Sequence, residues 1–170
     1  MNTIGLIYGS DTGMTEEITN TIVDEWTLSD IEVFEASHVQ NNDIKSFDIL
    51  FLGLSTWYDG DLQSDWENYF KKFKELDFTN KKVALYGLGD QYGYGEYFID
   101  GVGILAKVVL ENGGEIIGHW PTEGYDYEIS KAEIEGENLF YGLAIDEDNQ
   151  PELTNERVKE WLTIVENELN

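Results

Sequence analysis

A loop rich in hydroxyl groups, residues 9–15, follows the first apolar run of the chain and leads into a segment with helical spacing. It reads Gly-Ser-Asp-Thr-Gly-Met-Thr. Its hydroxyls and the unpaired N–H groups of the following helix can together bind a phosphate. The loop lacks the Lys-Ser/Thr pair of the nucleotide-triphosphate loop and the glycine pattern of dinucleotide-binding folds. It therefore predicts a phosphate site without a cation, although the same composition could serve only to cap the helix.

Aromatic side chains follow two further apolar runs of the sequence. Ser55-Thr56-Trp57 and then Tyr58-Asp59-Gly60 come after one run, and glycines alternate with tyrosines in residues 87–98 after the next. At the carboxyl end of a central strand, an indole or a phenol lies beside the binding crevice and can stack on a flat ligand. Glycine lets backbone N–H groups approach the edge of that ligand. Together with the hydroxyl-rich loop, these segments predict a site for a phosphorylated, flat aromatic cofactor.

Five apolar runs alternate with segments of helical period, which predicts an α/β fold with a parallel sheet. The third and fourth runs are apolar at nearly every position and should form the middle of the sheet. Residues of about 121–139 lack a clear period and predict an insertion, after which Leu139–Ile145 again has the pattern of a strand. We expect the insertion to split the fifth strand of a single domain spanning residues 1–170. The five runs are Ile4–Tyr8, Ile31–Phe34, Ile49–Leu54, Val83–Leu88 and Glu115–Gly118.

Composition excludes several classes of function. The 170 residues include 35 Asp and Glu against 10 Lys and Arg, which gives a formal net charge of −25. Nucleic-acid binding and docking to an anionic membrane need clustered cations, so both are disfavoured. The chain has no cysteine, which removes disulfides, thiolate catalysis and Cys-ligated metals. No apolar run reaches the roughly 20 residues of a membrane span, so we expect a cytoplasmic protein without membrane insertion. We also assign no metal site.

Five stretches of the sequence carry a family resemblance: SDTGMT at 10–15, STWYDGDLQSDW at 55–66, GDQYGY at 89–94, WPTEGYDY at 120–127 and GLAIDEDNQ at 142–150. In these stretches, in the same order, the chain resembles flavodoxins of the long-chain type. The resemblance covers essentially the whole chain. It implies a flavodoxin-like three-layer sandwich whose five-stranded parallel sheet has the order 2-1-3-4-5. It also implies a low-potential one-electron carrier with noncovalently bound FMN, rather than a stand-alone enzyme.

The resemblance also implies roles for individual residues. Residues 10–15 would hold the phosphate, Trp57 would cover the inner face of the flavin, and Tyr94 would stack on the outer face. The Tyr58-Asp59 peptide would reorient to accept the N5 proton of the one-electron-reduced flavin. The predicted cofactor-binding set is Ser10, Asp11, Thr12, Gly13, Met14, Thr15, Ser55, Thr56, Trp57, Tyr58, Asp59, Gly60, Leu88, Gly89, Asp90, Tyr94, Tyr97 and Asp146.

The charge of the chain suggests how such a carrier would work. Asp90, Asp146 and the rim acids Asp59, Asp61 and Asp65 should make the reduced, anionic flavin less stable and so depress its potential. The remaining acidity should attract basic redox proteins such as ferredoxin-NADP reductase to a monomeric carrier. Two alternatives stay open: an FMN-dependent quinone reductase of related fold, and a phosphoacceptor signalling domain of the same sheet order.

Overall fold

Strands and helices alternate along residues 2–170, the part of the chain that the computed structural model describes. The strands are β1 Ile4–Tyr8, β2 Ile31–Glu35, β3 Ile49–Trp57, β4 Asp61–Leu62, β5 Lys82–Leu88, β6 Glu115–Ile117, β7 Trp120–Pro121, β8 Glu133–Ile134, β9 Leu139–Phe140 and β10 Leu143–Ile145. The α-helices are α1 Met14–Glu25, α2 Asn41–Ile44, α3 Ser64–Phe73, α4 Asp100–Glu111 and α5 Thr154–Leu169. No helix within residues 2–170 combines the length and the hydrophobicity that crossing a membrane would require.

The main sheet has the predicted parallel order. β2, β1, β3 and β5 lie side by side, and both β6 and β10 pair with the outer edge of β5. β6 pairs with Lys82–Ala84, and β10 pairs with Tyr86–Leu88. The two short strands are therefore the two halves of a fifth strand, which confirms the order 2-1-3-4-5 and the split.

Helices cover both faces of this sheet. Phe51 and Leu54 of β3 point to opposite faces because the side chains of a strand alternate. The ring of Phe51 lies 5.7 Å from that of Trp161 on α5, whereas Leu54 contacts Gly101 on α4. Burial on both faces explains why β3 and β5 are apolar at nearly every position. The result is the predicted three-layer sandwich.

The insertion has a structure that the sequence pattern did not predict. Residues 118–142 lie between β6 and β10 and contain a small antiparallel sheet of order β7-β9-β8. The prediction of one strand over Leu139–Ile145 is wrong, because β9 belongs to this small sheet and β10 to the main sheet. The chain changes sheets at residues 141 and 142. There Tyr141 N donates to Ala132 O (2.8 Å), and Gly142 packs directly against the Leu85 carbonyl.

Candidate functional site

The carboxyl ends of β1, β3 and β5 meet at one edge of the sheet, and the loops that leave them surround a cavity of about 290 Å³. None of the residues that line it is Lys or Arg. The lining residues are Thr12, Met14, Thr15, Ser55, Thr56, Trp57, Leu88, Gly89, Asp90, Tyr94, Glu147 and Asp148. All of these except Glu147 and Asp148 belong to the predicted set, so the structure brings the three predicted loops together.

Backbone geometry shapes the hydroxyl-rich loop that precedes α1. Gly13 has φ 88°, the left-handed conformation that glycine tolerates best, and it directly precedes α1. Ser10 Oγ accepts from Gly13 N (3.0 Å), so the serine stabilises the loop itself. Within residues 2–170 no side chain caps α1, which leaves the N–H groups of its first turn free beside Thr12 and the buried Thr15. The exposed carboxylates Glu16 and Glu17 follow in the first turn of the helix.

The indole of Trp57 carries the most informative polar atom of the cavity. Its Nε1 is buried and, within residues 2–170, has no hydrogen-bond acceptor. Leaving a buried donor unpaired costs about 1–3 kcal/mol, so such atoms call for an explanation. Trp57 lines the cavity together with Thr12 and Thr15, so a ligand oxygen that reaches Nε1 from the cavity would satisfy it. A ligand that carries an acceptor oxygen therefore fits the residues present.

Asp90 organises the loop that ends in Tyr94. Its Oδ1 accepts from Tyr92 N (3.1 Å), Gly93 N (2.7 Å) and Asn149 Nδ2 (2.8 Å). Partial burial acts to raise the pKa of Asp90, but these hydrogen bonds outweigh it and lower the pKa below its usual value. The carboxylate is therefore ionised at neutral pH. It holds the loop so that Tyr94, which is 49% exposed, lies at the rim of the cavity.

Asp146 does not line the cavity, although it belongs to the predicted set. Its side chain is fully buried and accepts from Gln91 N (3.1 Å), Gln91 Nε2 (2.7 Å) and Asn149 N (3.0 Å). The carboxylate thus ties the Asp90 loop to the loop after β10. Asp146 therefore stabilises two loops that line the cavity without lining it itself.

The turn between β3 and β4 stands beside the cavity. Tyr58 has φ 47° and is 69% exposed, and Gly60 has φ 90°. Tyr97 lies next to Gly60, and the negative charge of Asp59 raises the pKa of the Tyr97 hydroxyl. Tyr58 also lines a neighbouring cavity of about 340 Å³ together with Asp11, Thr12 and Trp57. The other predicted residues do not line the first cavity. They are Ser10, Asp11 and Gly13 of the hydroxyl-rich loop, Tyr58, Asp59 and Gly60 of the turn, Tyr97, and Asp146.

Comparison with known proteins identifies the family of the chain. Residues 6–161 match the family model described as flavodoxin. The chain belongs to the flavodoxin family. It is 45% identical over 170 residues to a flavodoxin of Klebsiella pneumoniae, covering 100% of this chain and 96% of that one. It is 46% identical over 163 residues to a flavodoxin of Picosynechococcus, with 95% of each chain covered.

A solved structure of the same family has nearly the same fold. The crystal structure of Fusobacterium nucleatum flavodoxin bound to flavin mononucleotide superimposes with a TM-score of 0.93 at 37% identity, covering 99% of each chain. The α/β sandwich of this flavodoxin is therefore the family fold.

Two acidic residues of the cavity in this flavodoxin escaped the sequence prediction. Glu147 and Asp148 line the cavity from the loop after β10. Burial and the negative charges of Asp90 and Asp146 raise the pKa of Asp148. From the loop after β10, the predicted set included only Asp146. Their position after the carboxyl end of the split fifth strand was the signal that could have indicated them.

The buried carboxyl group of Asp100 predicts a pH dependence of stability. Asp100 is 1% exposed behind Gly60, and Oδ1 accepts from Lys131 N (2.8 Å). Burial raises its pKa despite that hydrogen bond, so its contribution to stability is greatest below the unfolded pKa and is lost as the pH rises through the folded pKa. We expect Asp100→Asn to gain stability relative to the wild type as the pH rises from about 4 to neutral. Urea unfolding of both proteins across this range measures the difference.

Asp77 provides a control with the opposite sign. Hydrogen bonds from Thr79 lower the pKa of this exposed carboxyl group, so its contribution is present above the unfolded pKa and is lost as the pH falls. Asp77→Asn should therefore lose stability relative to the wild type as the pH rises. A pH-independent difference for Asp100→Asn, or a slope like that of Asp77→Asn, would contradict the role of burial.

Proposed function

We propose that this flavodoxin binds FMN noncovalently and carries single electrons at low potential between larger redox proteins. The observation that carries the proposal is the buried indole N–H of Trp57, which is unpaired within residues 2–170. Trp57 lines a cavity together with Thr12 and Thr15, and no Lys or Arg is among its lining residues. The F. nucleatum flavodoxin binds FMN on the same fold. When bound, FMN supplies one-electron chemistry that the side chains of this chain lack.

Different residues of the cavity would bind different parts of FMN. The first turn of α1, Thr12, Thr15 and Trp57 Nε1 offer donors to a phosphate. The rings of Trp57 and Tyr94 offer two walls for the flavin, as the family resemblance implies. Thr56 Oγ1 accepts from Gly101 N (2.9 Å), which fixes the end of β3 against α4. The indole is thus carried by a rigid part of the sheet.

The electrostatics of the cavity favour a low potential. Asp90, Glu147 and Asp148 line it, and no Lys or Arg does among residues 2–170. Because nearby negative charge raises the energy of an added electron, the reduced cofactor is a stronger reductant here than in water. The lowered pKa of Asp90 keeps one of these charges present throughout the neutral range.

Asp90→Asn should raise the potential of the second one-electron reduction. A unit charge about 10 Å away contributes about 1.7 kcal/mol at an effective dielectric constant of about 20, or roughly 70 mV before salt screening. The asparagine keeps an oxygen that can accept the loop hydrogen bonds, so the loop should persist. Anaerobic redox titration of the FMN-bound proteins measures the change, with Asp48→Asn on an exposed residue as the control. An unchanged or lower potential in Asp90→Asn would refute the electrostatic explanation.

Basic redox proteins such as ferredoxin-NADP reductase are the proposed partners of a monomeric carrier. Residues 1–44 contain no Lys or Arg, and this segment includes the loop before α1. The exposed acidic residues of this segment favour a transient encounter with a positively charged protein. The rate of that encounter should fall as the salt concentration rises. The nearly equal identities to the Klebsiella and Picosynechococcus flavodoxins favour no particular partner. Stopped-flow electron transfer at several ionic strengths compares candidate reductases.

The test of the proposal is reconstitution followed by redox titration. Apoprotein mixed with FMN should give a yellow one-to-one complex that takes up electrons in two separate one-electron steps, the second at very low potential. The isolated complex should not oxidise NADH with a quinone at an appreciable steady-state rate. Absence of FMN binding would overturn the proposal, and rapid quinone reduction would favour an FMN-dependent quinone reductase.

A further inference from the structure

Gln63 is a fully buried polar side chain just before α3, and the proposed function assigns it no role. Its Nε2 donates to Asp11 Oδ1 (3.0 Å) and to Asp65 Oδ2 (3.0 Å), and its Oε1 accepts from Trp66 N (3.2 Å). Both amide hydrogens are therefore directed at carboxylates. Because a buried amide is costly unless its donors and acceptor are hydrogen-bonded, these contacts define the orientation of the Gln63 side chain.

Gln63 also joins the two loops that flank the phosphate site. Its backbone N–H donates to Ser55 O (3.2 Å) at the end of β3. Its amide oxygen packs against Gly9, where a Cβ would overlap Oε1. The contact requires glycine at the start of the loop of residues 9–15. The side chain thus fixes the distance between that loop and the strand that carries Trp57.

Asp11 is the acidic residue within the proposed phosphate loop. Its Oδ1 accepts from Ser64 Oγ (2.6 Å) as well as from Gln63 Nε2. Two donors at the start of α3 therefore hold this carboxylate, directly beside Thr12 in sequence. Without them, the carboxylate could turn toward a bound phosphate, and like charges in a partly buried site repel strongly.

We propose that Gln63 is a positioning residue for phosphate binding, which acts by holding the Asp11 carboxylate away from the phosphate and the loop in its binding conformation. The inference rests on the proposed FMN function. Its physical basis is preorganisation: an ordered loop with a paired carboxylate pays less free energy when a dianion binds. The effect therefore depends on the phosphate of the ligand rather than on its flavin ring.

Gln63→Met tests this role by comparing FMN with riboflavin, which lacks the phosphate. Methionine has a similar length but cannot donate. We expect the dissociation constant of FMN to rise roughly 10- to 100-fold, the usual effect of losing a hydrogen bond to a charged group. The dissociation constant of riboflavin should change by less than about threefold, since no phosphate is present. Gln40→Met, on an exposed residue, is the matched control and should change neither.

Asp11→Asn in the Gln63→Met background separates positioning from general support of the fold. If the freed carboxylate repels the phosphate, removing its charge should restore most of the FMN affinity. Equal losses for FMN and riboflavin, or no recovery with Asp11→Asn, would overturn the inference. Should Gln63→Met not fold, Ser64→Ala removes the second donor to Asp11 from an exposed site, and about a two- to tenfold loss for FMN alone is expected. Wild-type protein that binds no FMN would instead refute the proposed function.

Discussion

Replacing Trp57 with alanine is expected to raise the dissociation constant of FMN by about a hundredfold or more. Loss of one stacking ring costs about 1–3 kcal/mol, by analogy with bases stacked on aromatic side chains. Loss of a hydrogen bond to a charged group costs about 1.5–3 kcal/mol. Trp57 offers both, because its ring lines the cavity and its buried Nε1 has no acceptor within residues 2–170. Titration of free flavin with apoprotein, followed by flavin fluorescence, measures the change.

Trp57→Phe separates the two contributions. Phenylalanine keeps an aromatic wall but cannot donate, so FMN should bind about 10- to 100-fold more weakly while riboflavin is nearly unaffected. Trp26→Phe is the matched control, because the Trp26 indole already donates to Ser29 Oγ (3.2 Å) and lies outside the cavity. Equal losses of FMN and riboflavin in Trp57→Phe would mean that the indole N–H does not contact the phosphate.

The main sheet could be predicted from the sequence because the apolar pattern that identifies each strand lies within that strand. The runs that became β1, β3 and β5 are apolar at nearly every position, as expected for strands that are buried on both faces of a sheet. The loops at their carboxyl ends then had to meet at one edge of the sheet. The grouping of Thr15, Trp57 and Tyr94 around one cavity followed from that topology.

The supporting contacts could not be predicted in the same way, because they join loops distant in the chain. Asp146 belongs to one of the stretches that resemble the family, yet it is buried against Gln91, 55 residues away. Gln63 reaches Asp11 across 52 residues. Whether a polar side chain faces a ligand or another loop depends on which loops pack together, and residue type and spacing do not encode this.

The structure of the insertion could not be predicted from the sequence for a different reason. Its strands β7, β8 and β9 are two residues long, too short to show an alternating pattern. Aromatic packing and single hydrogen bonds hold it instead. The ring of Tyr127 stacks on Phe98 at 5.5 Å, and Glu128 N and Ile129 N both donate to Gly95 O. The insertion therefore braces the segment that follows Tyr94.

Gly142→Ala should destabilise the protein by about 3 kcal/mol, near the upper end for overpacking. A Cβ at this position would overlap the carbonyl oxygen of Leu85 and lie 2.7 Å from its carbonyl carbon. Leu85 belongs to β5, which pairs on both edges, so its backbone cannot move away cheaply. For a chain of this size the melting temperature should fall by roughly 6–12 °C. Differential scanning calorimetry of the apoprotein measures the loss.

Gly136→Ala is the matched control within the same insertion. Gly136 has φ 77° with no atom near its missing Cβ, so alanine there should cost only about 1 kcal/mol from backbone strain. The Gly142 variant should also bind FMN more weakly, because a displaced β10 moves Asp146 and with it the Asp90 loop. Equal destabilisation by the two substitutions would show that the Leu85 backbone yields, and that the crossing between the two sheets does not require glycine.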